Sequence, residues 1–327
     1  VRKVCVVGAG AVGGVIGARL ALAGLPVSAL ARNDTLASLR THGWLLSSRD
    51  GGPQAAPVAA ATDDAAALGP QDVVILAVKA HHLPALAPAL VPLLTPETVL
   101  VPALNGVPWW FFHDFGGPLA GTVLDAVDPG GVVSKALPPE QVIGCVVHLA
   151  ARTLRPGHAV HTAGDELIIG EPSGVASPRA AAVAALLRRG GFTVTVSESI
   201  QRDVWFKLWG NMTMNPISAL TGATADRILD DALVNTFVQR VMTEAAEIGV
   251  RIGCPISQSI AERTEATRRL GAFKTSMLQD AEAGRTIELD ALVTAVGEIG
   301  ALTGVPTPHL DALLGLARLA ARERGLY

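Results

Sequence analysis

Hydrophobic positions along this chain fall into two textures, and the change between them lies near residue 200. Before it, short apolar runs alternate with loops: Val4 to Val7, Val27 to Leu30, "DVVILAVKA" at 72–80 and "TVLVPALNG" at 98–106. These runs are almost continuously apolar, as strands of a parallel sheet covered on both faces must be. Further strand-like pieces stand at 142–149, 158–169 and 191–199. After residue 200 the apolar residues recur at helical spacing, in "DALVNTFVQRVMTEAAEIG", "QSIAERTEATRR" and "IELDALVTAVGEIGALTG", the last closed by a Pro-containing break. The pattern predicts an α/β half followed by an all-helical half, with a boundary and a candidate hinge at 198–200. The Ala-rich stretches at 55–68 and 180–187 read as ordinary helices and loops, and no internal repeat is visible.

The first strand runs into "GAGAVGG", an Ala/Leu/Val helix follows to about Gly24, and a second strand comes next. This is a βαβ unit with G-x-G-x-x-G at Gly8, Gly10 and Gly13, set between strand and helix where the motif has a mechanism. Gly8 permits the tight turn, Gly10 lets backbone N–H groups approach a pyrophosphate, and Gly13 lets helix and strand pack closely. Residues 1–198 are therefore read as a Rossmann-type dinucleotide-binding domain, with Gly8, Ala9, Gly10, Ala11, Val12 and Gly13 as its phosphate cradle. Residues 199–327 are read as a helical substrate-binding and catalytic domain. The residue ending the second strand addresses the adenosine ribose: an acid there favours NAD, an arginine the 2′-phosphate of NADP. "ALARND" puts Arg32 at that point, and Lys79 closes the "VVILAVK" strand as a second cation, so the expected cofactor is NADPH. Asp34 is the counter-signal, two residues along.

Composition narrows the function classes. A formal charge of −3 with scattered basic residues gives no footprint for nucleic acid or an anionic membrane. The apolar stretch 83–112 is interrupted by prolines at 84, 88, 92, 96, 102 and 108, and no segment reads as a membrane span. Cys5, Cys145 and Cys254 are far apart and odd in number, which suits a reducing cytoplasm, and the chain opens on a strand-like run rather than a signal peptide. The spacing of His148, His158 and His161 fits no zinc site, so no metal is expected. His81 and His82 follow the Lys79 strand and are expected to be exposed near the cofactor. No G-x-S-x-G elbow is present, and no cysteine has an evident base.

The chemistry of the helical half is carried by "DVWFKLWGNMTMNPIS" at 203–218. Lys207, Asn211 and Asn215 recur at i, i+4 and i+8, one polar stripe on an otherwise apolar helix. Hydride addition to a ketone builds negative charge on oxygen, so a proton donor must lie within hydrogen-bond reach, and lysine can serve. Asparagines supply neutral donors and acceptors that fix a polar substrate without adding charge. Pro216 removes a backbone donor inside the helix, and a kink is expected there. A second reading stays open, in which the lysine only joins helices through an ion pair with Glu288.

Taken together, "GAGAVGG" at 8–14, "VKA" at 78–80, "NG" at 105–106, "KLWGNMTMNPISALTG" at 207–222 and "TSMLQDAEAGRTIELDAL" at 275–292 resemble the ketopantoate reductase family, over nearly the whole chain. That resemblance implies an NADPH-dependent reduction of a branched 2-oxo acid, ketopantoate in the family's best-known case. It further implies Lys207 as general acid, Glu288 as the carboxylate that binds the nascent hydroxyl and supports the lysine, and Asn211 and Asn215 as substrate-facing amides. Ser276 then matches a serine on the substrate carboxylate and Asn105 an asparagine beside nicotinamide and substrate, with the polar stripe turned to the cleft between domains. The apolar faces of the helical half could support a homodimer.

Two departures bear on the substrate. "PWWFFH" at 108–113 follows Asn105, so its rings either wall a substrate pocket or pack against their own domain or a partner subunit. His113, at its end, could touch substrate. After "SALTG", Ala223, Thr224 and Ala225 stand where another polar side chain is expected. An aromatic wall would favour a bulkier keto acid, an aldehyde or an imine. A non-catalytic nucleotide sensor is the alternative of another class, and the joint presence of Lys207, Asn211, Asn215, Ser276 and Glu288 argues against it.

Overall fold

In the computed structural model, which describes residues 2–49 and 51–327, the chain divides into two compact units. One comprises the residues up to Gly116 with Ala120–Val123 and Asp128–Asp203; the other comprises Gly117–Leu119, Leu124–Val127 and Val204–Tyr327.

The first unit is built on the βαβ unit that the glycine motif announces. Strand β1 (Val4–Val7), helix α1 (Ala11–Leu22), β2 (Val27–Leu30) and α2 (Asn33–His42) follow one another, then β3 (Trp44–Ser48), β4 (Gln54–Ala56), β5 (Ala61–Thr62), α3 (Ala65–Leu68) and β6 (Val73–Leu76). Helix α4 (Leu83–Leu90), β7 (Val99–Pro102), α5 (Val132–Ala136), β8 (Gly144–Arg155), β9 (His158–Gly170), α6 (Pro178–Arg189) and β10 (Thr193–Val196) complete it. One sheet has the order β5-β2-β1-β6-β7, every pair parallel. Chain order reverses between β1 and β6, and open parallel sheets bind ligands at the carboxyl ends of the strands at such a point. The central strands are buried throughout, which is why their sequences carry no polar alternation.

A second sheet runs β10-β9-β3-β4 with β8 antiparallel to β9; the strand-like pieces at 142–149, 158–169 and 191–199 are its β8, β9 and β10, while β3 and β4 were not expected. Its long strand β9 pairs with β3 over His158–His161 and with β10 over Glu166–Ile169. Helix α1 touches both sheets, and the extra glycines of its sequence record that. A Cβ at Gly13 would stand 2.0 Å from the Gly8 carbonyl oxygen; one at Gly17 would stand 2.4 Å from the ring of Trp44, on the second sheet. Trp44 is buried and donates its indole N–H to the Val27 carbonyl at 3.3 Å. The Ala-rich stretch 55–68, read as helix and loop, thus contains β5, α3 and part of β4, and the strands expected at 72–80 and 98–106 are only four residues each.

The second unit is helical. It holds most of α7 (Ile200–Thr221), then α8 (Ala225–Asp230), α9 (Ala232–Arg251), α10 (Ile260–Arg268), α11 (Ser276–Glu282), a π-helical turn at Asp290–Thr294, α12 (Ala295–Thr303) and α13 (Pro308–Glu323). The division by compactness therefore falls within α7, whereas the sequence pattern placed it at 198–200. Asp231, Ser259 and Thr275 cap α9, α10 and α11 with side-chain oxygens, the last two in S/T-x-x-type starts. Trp205, Leu208, Trp209 and Met212 turn the apolar face of α7 inward, and the Trp209 indole donates to the Met242 carbonyl at 2.8 Å. Helix α7 continues past Pro216 to Thr221. Among the described residues, no helix is long and apolar enough to cross a membrane.

Candidate functional site

In the first unit the site residues collect at the carboxyl ends of the parallel strands. The registers Val7↔Leu30, Val7↔Leu76 and Leu76↔Pro102 bring the turn at Gly8, Arg32 after β2, Lys79 after β6 and Asn105 after β7 to one edge of the sheet. Gly8 N–H donates to the Leu30 carbonyl at 3.0 Å, and Ala77 N–H to the Val7 carbonyl at 2.8 Å. Gly8 has φ +90°, and a Cβ there would lie 2.7 Å from Val78, so this turn and the Lys79 segment are in contact.

The three glycines of the motif differ in what requires them. Gly8 and Gly13 are demanded by the protein's own backbone, as their close approaches show. Gly10 is exposed, and a Cβ built on it meets nothing within 4 Å. It is also the N-cap of α1, has no side chain with which to cap, and no acidic residue occupies the first turn of that helix. The first N–H groups of a helix have no partner within it and carry the positive end of its dipole. An open glycine at an uncapped helix start fits the pyrophosphate of a dinucleotide, which needs that space and those donors. Arg32 is exposed in extended backbone as the N-cap of α2, suited to a ribose 2′-phosphate, while Asp34 is exposed in the first turn of the same helix. Lys79 and Asn105 are half-buried.

In the second unit, Lys207, Asn211 and Asn215 lie along a single helix and so share a stripe, as the spacing predicts. Lys207 and Asn211 are half-buried and Asn215 is only 5% exposed. Among the described residues, neither asparagine amide has a side-chain hydrogen-bond partner in the protein. Thr213 and Ser218, on other faces of α7, donate to the carbonyls of Gly210 and Ala223 at 3.0 and 2.7 Å. Glu288 is buried, 6% exposed, in the segment before the π-helical turn. Ser276 is exposed at the start of α11, whose N-cap is Thr275. Thr224 spends its hydroxyl on Asp226, so the region after "SALTG" keeps a local polar contact of its own.

The aromatic run is settled by burial. Trp109, Trp110, Phe111 and Phe112 are 1–4% exposed. The Trp109 indole donates to the Leu137 carbonyl at 3.1 Å, and the Trp110 ring fills the space that a Cβ on Gly144 would occupy, 2.5 Å away. The rings are core of the first unit, so the pocket-wall reading and its argument for a bulky substrate fall. His113 pairs with Asp114 at 3.4 Å. His82 is exposed as expected, but His81 is half-buried. His158 is buried with its Nε2 2.8 Å from Ser47 Oγ; burial, and then the charge of Arg155, push its pKa down. Among the described residues, no group of three His, Cys, Asp or Glu could hold a metal ion.

Comparison with known proteins follows the same division. Residues 4–109 match the family model described as ketopantoate reductase PanE/ApbA, and residues 199–321 match the model of the C-terminal part of that family. A 2-dehydropantoate 2-reductase from Mesorhizobium japonicum is 44% identical over 326 residues, 99% of each chain. One from Halobacterium salinarum is 28% identical, over 98% of this chain and 99% of the relative. Among solved structures, a Ralstonia solanacearum protein described as a candidate ketopantoate reductase superposes with a TM-score of 0.95 at 58% identity over the whole of both chains. A PanE/ApbA family ketopantoate reductase from Ralstonia eutropha superposes with a TM-score of 0.84 at 25% identity, over 99% of each chain.

Proposed function

This chain belongs to the ketopantoate reductase family, and from that premise we propose that it reduces 2-dehydropantoate to pantoate with NADPH. The observation that carries the reading on this chain's own side is the pair of amides on the Lys207 helix. Asn215 is 5% exposed and Asn211 half-buried, and among the described residues neither side-chain amide has a hydrogen-bond partner. Two amides on one helix stripe that the protein's own side chains do not engage are donors and acceptors available to a ligand.

When bound, NADPH supplies the hydride that the carbonyl carbon accepts. Gly8 to Gly13 present the start of α1 to the pyrophosphate, and Arg32 with Lys79 offer positive charge to the 2′-phosphate. Lys207 gives a proton from Nζ to the carbonyl oxygen as negative charge develops there, so the ketone leaves as a secondary alcohol and the lysine leaves neutral. Glu288 accepts the hydrogen bond of the new hydroxyl and holds the lysine in place. Asn211 and Asn215 fix the polar groups of the acid, Ser276 meets its carboxylate, and Asn105 borders nicotinamide and substrate. The cytoplasm is the compartment we assign, in keeping with three buried free cysteines.

The test is NADPH oxidation followed at 340 nm (a property of the reduced nicotinamide), with NADH alongside, against 2-dehydropantoate and a panel of other 2-oxo acids. Turnover fastest with NADPH and 2-dehydropantoate is the expected result. Turnover on another acid alone would overturn the substrate, and turnover with NADH alone would overturn the role given to Arg32. Lys207→Ala abolishes turnover and keeps NADPH binding, on this reading; a variant as active as the parent removes Lys207 as the acid.

A further inference from the structure

The carboxylate assigned to the new hydroxyl sits where the chain has no regular structure. Residues 285–288 are neither helix nor strand, and Asp290 opens the π-helical turn that follows. Ile287, Glu288 and Leu289 are nonetheless buried, at 4%, 6% and 0% exposed. Buried irregular backbone needs hydrogen-bond partners from outside its own segment. They come from the far end of α13. That helix stops in a Schellman turn: Gly325 takes φ +65°, its N–H donates to the Arg322 carbonyl at 3.0 Å, and the Leu326 N–H donates to the Ala321 carbonyl at 2.8 Å. Beyond the turn, Leu326 is 3% exposed, and its carbonyl accepts from the Ile287 N–H at 3.0 Å. The Tyr327 hydroxyl donates to Asp290 Oδ1 at 2.8 Å, and Thr294 Oγ1 donates to the same oxygen at 3.0 Å. One bond thus falls on the residue before Glu288, and the other two fall on the residue two places after it.

The same stretch reaches the Lys207 helix. Arg324 Nη1 donates to the Ala219 carbonyl at 3.2 Å, in the last turn of α7 and four residues past Asn215. Carbonyls of a last turn have no partner within their helix, so this bond completes α7 as well. The Arg322 guanidinium carbon lies 5.3 Å from the centre of the Tyr327 ring, a cation–π distance, so the ring has its place without the hydroxyl. Burial first, then the bond to Asp290 and the charge of that carboxylate, raise the Tyr327 phenol above its ordinary value, which keeps the hydroxyl protonated as a donor. Tyr327 is 39% exposed, and a single bond at such a position adds little to the stability of the fold. What it does add is a fixed direction for the chain as it leaves Glu288.

We propose that Tyr327 is a positioning residue for the reduction: through Asp290, and together with the Leu326 carbonyl on Ile287, it fixes the backbone on both sides of Glu288 and so holds that carboxylate where the new hydroxyl forms. The inference rests on the proposed function, because it takes Glu288 as the group that meets the hydroxyl. Groups that act on a reacting atom must be held within about 0.5 Å of their working geometry. A buried segment outside helix and strand gets that precision from bonds of this kind, and here they bracket the one residue that needs it.

The experiment is Tyr327→Phe, which removes one oxygen and keeps the ring beside Arg322, made in the parent and in Glu288→Gln. Each protein is assayed at saturating NADPH with 2-dehydropantoate varied. In the parent, kcat should fall roughly 3- to 30-fold, within the range that a small misplacement of a catalytic group costs. KM for the keto acid should stay within about 2-fold, because the contact Glu288 makes belongs to the transition state. NADPH affinity should be unchanged, and the melting temperature should stay within about 2 °C. In the Glu288→Gln background the same substitution should have no further effect, since residues that act through one group are not additive. A kcat equal to the parent's in Tyr327→Phe overturns the proposal. An equal loss in both backgrounds also overturns it, because the hydroxyl would then act elsewhere than through Glu288. If Glu288→Gln turns over too slowly to compare, Tyr327→Phe in the parent decides alone. Glu288→Gln as active as the parent removes Glu288 from the proposed function and the inference with it, whereas an inactive Glu288→Gln beside a fully active Tyr327→Phe removes the inference only.

Discussion

At the scale of single residues, the structure separates side chains that serve the fold from those that do not. Asn215 is only 5% exposed, yet among the described residues its side-chain amide bonds to no other group. Asn215→Ala should therefore leave the melting temperature within about 2 °C, because it removes an amide that makes no side-chain hydrogen bond among the described residues. The same change should lower kcat/KM for the keto acid by roughly 10- to 100-fold. Thermal unfolding and steady-state kinetics on one preparation check both halves, and a large fall in melting temperature would make Asn215 a structural residue. The glycines of the cradle give a matching contrast. Gly13→Ala forces a Cβ to 2.0 Å from a backbone oxygen and should destabilise, whereas Gly10→Ala meets no protein atom within 4 Å. Gly10→Ala should unfold like the parent but bind NADPH at least ~10-fold more weakly, since the new methyl stands where the pyrophosphate must approach. Titration of nicotinamide fluorescence reads that loss directly.

At the scale of elements, what was legible in the sequence is what lives within one element. The Lys207 stripe follows from the pitch of a single helix, and the cradle from a strand, a turn and a helix in succession. The central strands could be read because burial on both faces removes polar alternation. Of the second sheet, β8, β9 and β10 match the strand-like pieces at 142–149, 158–169 and 191–199, but β3, β4 and the pairing could not be read, because β3 pairs with a strand more than a hundred residues away and neither carries that relation in its own pattern. Its one local trace is Gly17, which admits the Trp44 ring. The burial of Arg263 was illegible for a similar reason: amid Glu262, Glu265 and Arg268 it reads as one more solvated charge, and only the folded unit shows its guanidinium packed on Gly210 and the Phe206 ring. The run "WWFFH" was ambiguous because aromatic residues suit a pocket and a core equally, and burial in the folded unit decides it. Trp110→Ala should thus cost about 3–5 kcal/mol of stability, as large-to-small changes in packed cores do, with little effect on KM. A denaturation midpoint measured beside the kinetics would expose any substrate role.

A pH dependence belongs to the start of α6. Burial alone would raise the Glu171 carboxyl, but hydrogen bonds from Arg179 and Ser177 outweigh it and hold the pKa below the ordinary value. Ser177 is the N-cap of α6, and Arg179 also donates to the carbonyls of Glu140 and Val142, so this carboxylate ties the helix start to the loop before β8. A depressed carboxylate adds stability that is fully present above its unfolded value of 4.5 and is lost as pH falls through the lower folded value. The parent should lose melting temperature below about pH 4.5 more steeply than Glu171→Gln. Equal slopes in the two proteins would mean that the pair adds nothing to acid stability.

At the scale of the whole molecule, the two units divide the proposed chemistry, and kinetics should show the same division. Every residue assigned to the dinucleotide belongs to the first unit; the proton donor and the substrate amides belong to the second. Binding energy lost from one ligand appears in that ligand's KM, while an interaction made only in the transition state appears in kcat. Arg32→Ala should raise KM for NADPH, more at low ionic strength because an exposed arginine is screened by salt, and leave KM for the keto acid alone. Asn211→Ala should do the reverse. Lys207→Ala should lower kcat by about 100-fold or more, the usual reach of a general acid, with NADPH affinity preserved. A matrix of these variants against both ligands is the decisive measurement. Off-diagonal effects as large as the diagonal ones would show that residues of one unit hold the ligand assigned to the other, and the roles of Arg32 and Asn211 would then have to be redrawn.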